Sequence, residues 1–169
     1  ETIPLFEGAQ WPPLKYILMF MSFLHDLHQS GFIYLRRDFK NIVRCRDKIQ
    51  ICAFDTCMQL GSDDCSSDMK DWDDVPSELT DSICLGAFIY YAYTKKNILN
   101  GEAQAVKKKY KKGIKIPPKE IGKKKAKMIM NLLSPDPEVR KTVDWMAFID
   151  DWGISELDIQ PPYFGFYDF

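Results

Sequence analysis

The chain has 169 residues, 46% of them apolar and 28% charged, with a formal net charge of −1. This length suits one domain with a real core, and near-zero charge proposes no nucleic-acid partner. No apolar run reaches the roughly 18 residues a membrane helix needs, and the N-terminus lacks a basic-then-apolar leader. Five cysteines (Cys45, Cys52, Cys57, Cys65 and Cys84) form no Cys-x-x-Cys pair. An odd count without framework spacing suits a reducing compartment, so the expectation is an intracellular, cytoplasmic protein.

Residues 1–13 carry Pro4, Gly8, Pro12 and Pro13 and read as an irregular lead-in. From Leu14 the pattern turns helical: Leu14, Ile17, Leu18, Met21, Leu24 and Leu27 or His28 recur at helical spacing. Tandem prolines before it and Ser30-Gly31 after it mark its ends. Its Met and Phe residues are read as core. His25 and His28 stand three apart, but no Cys or carboxylate with ligand spacing joins them, so they are read as structural and no metal site is expected. Phe32-Ile33 reads as a short strand. Residues 42–45 and 49–52 read as a hairpin around Arg46-Asp47-Lys48, its second strand alternating apolar and polar side chains.

Residues 59–81 are acidic, with Asp63, Asp64, Asp68, Asp71, Asp73, Asp74, Glu78 and Asp81. They are read as a solvated loop, with a phosphorylation-mimicking acidic patch as the sharper alternative. The run from Ile83 to Tyr93 is apolar nearly all round, as in a helix buried on every side, and Asp81 is placed as its N-cap. Eleven lysines lie between Lys107 and Lys127. A solvated surface balancing the acidic stretch is one reading. The other is a docking patch for an acidic protein, a phosphoinositide or nucleic acid. Beyond Tyr110 no aromatic is interleaved to stack bases, and no specific nucleic acid is expected. Ile116-Pro117-Pro118 reads as a turn, and Ala126, Ile129, Leu132 and Leu133 share one helical face. Asp136-Pro137-Glu138-Val139-Arg140 follows. Residues 143–152 read as a last helix with Trp145, Met146, Phe148 and Ile149 inward and Gly153 ending it. In the tail, Tyr163, Phe164, Phe166, Tyr167 and Phe169 suit docking onto the domain itself or onto a partner.

One stretch, residues 24–55, organises the rest. Leu27-His28, Gly31, the apolar pair Phe32-Ile33, Asn41 followed by Ile42-Val43, and Phe54 occur in a particular order and spacing. They resemble the catalytic-loop region of the eukaryotic protein kinase family: Leu-His, Gly, two apolar residues, His-Arg-Asp, Asn four residues on, a hairpin, then Asp-Phe-Gly. Asp81-Ser82-Ile83-Cys84-Leu85-Gly86 resembles that family's Asp-Val-Trp-Ser-Leu-Gly. The Ile-Pro-Pro turn and Asp-Pro-Glu-x-Arg resemble the segments that follow. The implied fold is mainly α with a small β-hairpin region: a kinase-like C-lobe over residues 14–152, with a hinge-like lead-in (1–13) and an aromatic tail (153–169). No Gly-rich loop or strand lysine precedes Ile17, so the N-lobe is expected to be absent, whether lost or missing from a fragment.

The chemistry does not follow the resemblance. Counted without gaps, Tyr34-Leu35-Arg36 stands where His-Arg-Asp belongs, Asp38 replaces the loop lysine, and Ala53-Phe54-Asp55 replaces Asp-Phe-Gly. In the family the loop Asp takes the substrate hydroxyl proton, while the Asn and the Asp before Phe hold magnesium. Arg36 cannot accept a proton, Ala53 offers a hard cation no oxygen, and Asn41 alone is a poor metal site. A second alignment, with compensating gaps, reads Arg37-Asp38-Phe39-Lys40 as Arg-Asp-Leu-Lys. It restores a base at Asp38 and its lysine at Lys40, with Asp55 as a displaced metal ligand.

The resemblance also implies that Tyr34 and Phe54 stack in a hydrophobic column and that Val43 lies at the adenine position. It implies that Asp81 hydrogen-bonds loop amides and that Arg140 pairs with the Glu of Ala-Pro-Glu. No such Glu is found, which leaves the acids of residues 59–81 as candidates. The expected function is that of a catalytically inactive kinase homologue, a pseudokinase, acting in intracellular signalling as a protein-binding, scaffold or regulatory module. No cofactor is expected. The alternative is a residual or atypical Ser/Thr kinase using ATP and magnesium, its N-lobe outside this chain.

Overall fold

The computed structural model describes residues 3–4, 13–45, 48–52, 54–62 and 66–145. Helix α1 spans Pro13–Gln29. Pro13 is its first helical residue, where a missing N–H breaks no intrahelical bond. Tyr16, Ile17, Phe20 and Leu24 are fully buried along one face. The helix ends in a turn in which the Gly31 N–H donates to the His28 carbonyl at 2.9 Å. Gly31 takes a φ of 79°, open to glycine without steric cost.

Short strands follow. β2 (Phe32–Ile33) pairs antiparallel with β5 (Met58–Gln59), placing Ile33 opposite Met58. β3 (Ile42–Cys45) and β4 (Lys48–Ile51) form the hairpin, with Ile42 opposite Ile51. In β4 exposed Lys48 and Gln50 alternate with buried Ile49 and half-buried Ile51, the mark of a strand covered on one face. The lead-in is not wholly irregular: Ile3–Pro4 forms a strand, β1, on the free edge of β3. An edge tolerates proline because one side of the strand needs no donor.

Helix α2 spans Glu78–Thr94 and lies at the centre, buried on almost every side. It begins earlier than the apolar run indicates. The Ser77 N–H donates to Thr80 Oγ1 at 3.0 Å, closing the first turn. Asp81 is therefore inside the helix, not its N-cap, and its carboxylate is free to reach back toward α1. Gly86 lets another helix, α5 (Lys123–Leu132), press onto α2. A Cβ at Gly86 would stand 2.9 Å from Leu132 Cβ and 3.1 Å from Leu133 Cγ. Gly86→Ala is expected to cost about 1–3 kcal/mol through overpacking. Urea unfolding measures this, and an unchanged midpoint would show that α5 yields without cost.

Helix α3 (Ala103–Lys111) is capped by the Glu102 carboxylate on the Gln104 and Ala105 amides, both at 3.1 Å. The short α4 (Pro118–Ile121) leads into α5, whose Ala126, Ile129 and Leu132 are buried. α6 (Pro137–Lys141) starts at Asp136, whose side chain accepts the Glu138 N–H at 2.9 Å. Packing of α1 and α5 on α2 makes the core, with Phe20 stacked on Phe88 at 4.3 Å between centroids. The last helix expected over residues 143–152 does not begin at its predicted start, since Val143, Asp144 and Trp145 are non-helical. Residues 146–152, with Met146, Phe148 and Ile149, and the tail at 153–169 lie outside the described residues. Among the described residues no helix is long and apolar enough to cross a membrane.

Candidate functional site: a clamped loop and a pinned acidic segment

Between β2 and β3 the chain crosses α2 as a loop, and Asp81 holds it there. Its carboxylate is fully buried and accepts the Tyr34 N–H at 2.7 Å and the Leu35 N–H at 2.8 Å. His28 Nε2 on α1 sits 2.9 Å from the same carboxylate. One side chain thus ties α1, the loop and α2 together. Leu35 is buried and left-handed, with a φ of 49°. That conformation costs an L-residue about 1–2 kcal/mol. The Asp81 grip on its N–H offsets this, as does the Ser67 hydroxyl, which donates to the Leu35 carbonyl. Cys84, one helical turn on from Asp81, is fully buried. Burial, then the Asp81 charge, pushes its thiol well above the ordinary range, so it is an inert thiol.

Immediately after the clamp the charges converge. Arg36 Nη1 donates to Asp55 Oδ1 at 3.1 Å, and Arg36 Nε lies 3.6 Å from Asp38 Oδ2. Arg37 Nε donates to Asp68 at 2.6 Å, while its Nη1 donates to the Leu99 and Gly101 carbonyls at 2.9 Å each. Asp38 also accepts the Lys40 N–H at 3.3 Å. Arg36, Asp38, Lys40, Thr56, Ser66 and Asp68 line an open cleft of about 400 Å³. The loop closes where the Asn41 carbonyl accepts the Cys52 N–H at 2.7 Å, beside half-buried Val43. Ala53 lies outside the described residues.

The expected stack of Tyr34 on Phe54 is not formed. Phe23 of α1 contacts each ring instead, 5.4 Å from Tyr34 edge-on and 6.2 Å from Phe54. Phe54 remains 53% exposed. The Tyr34 hydroxyl is buried without a hydrogen-bond partner, and burial raises its pKa far above the usual phenol value.

The acidic stretch is not simply a solvated loop. Met69 and Trp72 are fully buried, and Trp72 stacks on Tyr110 at 4.7 Å. Asp68 pairs with Arg37, Asp71 with Lys107 and Asp73 with Arg140. The hydrogen bond from Lys107 holds the Asp71 carboxyl below its ordinary pKa. Lys111 Nζ donates to the Trp72 carbonyl at 2.5 Å. Arg140 is completely buried. It reaches Asp73 Oδ2 at 2.5 Å, the Tyr110 hydroxyl at 2.8 Å, and the Ser134 and Leu79 carbonyls at 2.7 and 3.0 Å. Asp73 also accepts the Thr80 hydroxyl at 2.7 Å, which joins the segment to the first turn of α2. Sequence reasoning left the partner of Arg140 open among several acids. The available signal was Asp73 standing seven residues before Thr80, a spacing that becomes meaningful only once α2 is known to start at Glu78.

A helix pair clamps a loop through a buried Asp, a hairpin lies beside that loop, and the following segment is anchored by a buried Arg; with the structural likeness below, the fold is kinase-like. Among solved structures, the chain is similar to the twitchin kinase region from C. elegans (Fn31-NL-kin-CRD-Ig26), with a TM-score of 0.63 and 14% identity over 83% of this chain. The chain spans 27% of the length of that one. At this identity the likeness is one of fold. Comparison of the sequence with protein-family models and with curated proteins finds no match.

Proposed function

We propose that this chain is a kinase-like module without phosphoryl-transfer activity, a pseudokinase that serves intracellular signalling as a protein-binding, scaffold or regulatory unit. The observation that carries this reading is Arg36 reaching both Asp55 and Asp38. These are the two carboxylates that a residual kinase would need, one for metal and one as base. The Arg36 guanidinium, a fixed cation of the chain itself, lies within ion-pair distance of both carboxylates. The same fixed charge repels a divalent cation from the oxygens it holds. Clamp and anchors maintain the shape while the reactive groups neutralise one another, which supports a role that depends on shape. Fold analogy alone does not name the partner.

Thermal unfolding of the chain with ATP, in magnesium or in EDTA, tests the proposal together with a phosphotransfer assay. Ligand at a hundred times Kd adds about 2.7 kcal/mol to stability. The expected result is one transition, unmoved by nucleotide, and no transfer. A magnesium-dependent rise in Tm, or transfer abolished by Asp38→Asn, would replace the proposal with the residual-kinase reading.

A further inference from the structure

Among the described residues, the acidic segment balances only part of the lysine-rich stretch. Asp68, Asp73 and Asp81 are taken by Arg37, by Arg140 and by the loop amides with His28, and Asp71 is taken by Lys107. Lys108, Lys109, Lys112, Lys115, Lys119 and Lys127 are all exposed, and none has an acidic partner among the described residues. Glu120 is the one acid between Lys107 and Lys127, and it is engaged by the Tyr90 hydroxyl at 2.5 Å.

Helix physics explains only part of this charge. Lysines in the last turn of α3 face the negative end of its dipole, a favourable placement. In the first turn of α5, which has no acid, Lys123 faces the positive end and weakens the helix, while Lys125 lies 5.4 Å over the Tyr93 ring. A cation such as Lys123, held against local helix stability, calls for another use.

We infer that the exposed lysines of this stretch dock on anionic lipid headgroups of a bilayer, bringing the kinase-like domain to a membrane face. The stretch contains lysine and no arginine. Lysine is a flexible, hydrated point charge, suited to a fluid surface with no fixed charge geometry, whereas arginine forks suit fixed carboxylates or phosphates. Tyr110 is buried, so no aromatic in the stretch is available to stack bases. The apolar face of α5 (Ala126, Ile129, Leu132) is spent on the core, so attachment rests on charge and reverses with salt.

Sedimentation with vesicles tests this. The chain is expected to bind phosphatidylcholine vesicles carrying about a third phosphatidylserine, to ignore pure phosphatidylcholine, and to release at about 0.5 M salt. Lys108→Gln/Lys112→Gln/Lys119→Gln should weaken binding about a hundredfold, at roughly fivefold per lysine, with Tm unchanged. Lys123→Glu should weaken binding while raising Tm, a combination that partial unfolding cannot produce. Equal binding to both vesicle types, no binding to either, undiminished binding by the triple variant, or tighter capture by RNA at the same salt would overturn the inference. The nucleotide shift reports on the cleft and is independent of all these outcomes.

Discussion

Asp81→Ala is expected to destabilise the chain by about 3–5 kcal/mol, a large share of the roughly 5–15 kcal/mol that holds a domain folded. The substitution leaves the Tyr34 and Leu35 amides buried and unpaired. Each such orphan costs about 1–3 kcal/mol. It also leaves the part-buried His28 ring without its carboxylate and releases the grip that holds Leu35 left-handed. These losses share one side chain and are not additive. Asp81→Asn keeps one acceptor oxygen but turns an NH₂ toward a second donor, so it should fall between wild type and alanine. Urea unfolding gives the magnitude, and hydrogen exchange at Tyr34 and Leu35 gives the location. A loss under about 1 kcal/mol with both amides still protected would mean that the clamp is not what positions the loop.

Arg140→Met should also be damaging, at about 3 kcal/mol, because it leaves the largely buried carboxylate of Asp73 with the Thr80 hydroxyl and no cation. It also removes the donors to the Ser134 and Leu79 carbonyls. Asp73→Ala strands the guanidinium instead, though the Tyr110 hydroxyl and the two carbonyls still accept from it, so its cost should be smaller. The double variant should cost clearly less than the sum of the singles, since neither charge is then left alone. Protease sensitivity at residues 66–76 and Trp72 fluorescence would report release of the segment, while the bulk of the core stays folded. Simple additivity in the cycle would mean that the two side chains do not depend on one another. The exposed Lys107–Asp71 pair offers a contrast, with Asp71 64% exposed, and its removal should be nearly silent in salt.

Much of the scaffold was legible locally. The helical spacing from Leu14 to Leu27, the alternation in Lys48–Ile51 and the Asp-Pro start of α6 are set by neighbours within about four residues. The same local rules, applied to Ser77 and Thr80, would have placed the start of α2, but the apolar run beginning at Ile83 drew attention past them. The order of motifs, read as a pattern, was enough to expect a kinase-like fold.

What sequence alone determined about this protein is therefore the order of its main helices and hairpin, their principal buried faces and the residue types offered to the cleft. Only the tertiary structure decided who meets whom. Arg36 and Asp55 are 19 residues apart, Tyr34 and Asp81 are 47, and Arg140 and Asp73 are 67. Periodicity carries no information at such separations. Among many acids of the same type, the one that pairs is the one that chain reversal brings within about 3 Å of a buried cation, where low dielectric makes the match worth most. The contacts of Phe23 with both Tyr34 and Phe54 have the same origin: a ring on α1 meets them only once the fold has closed.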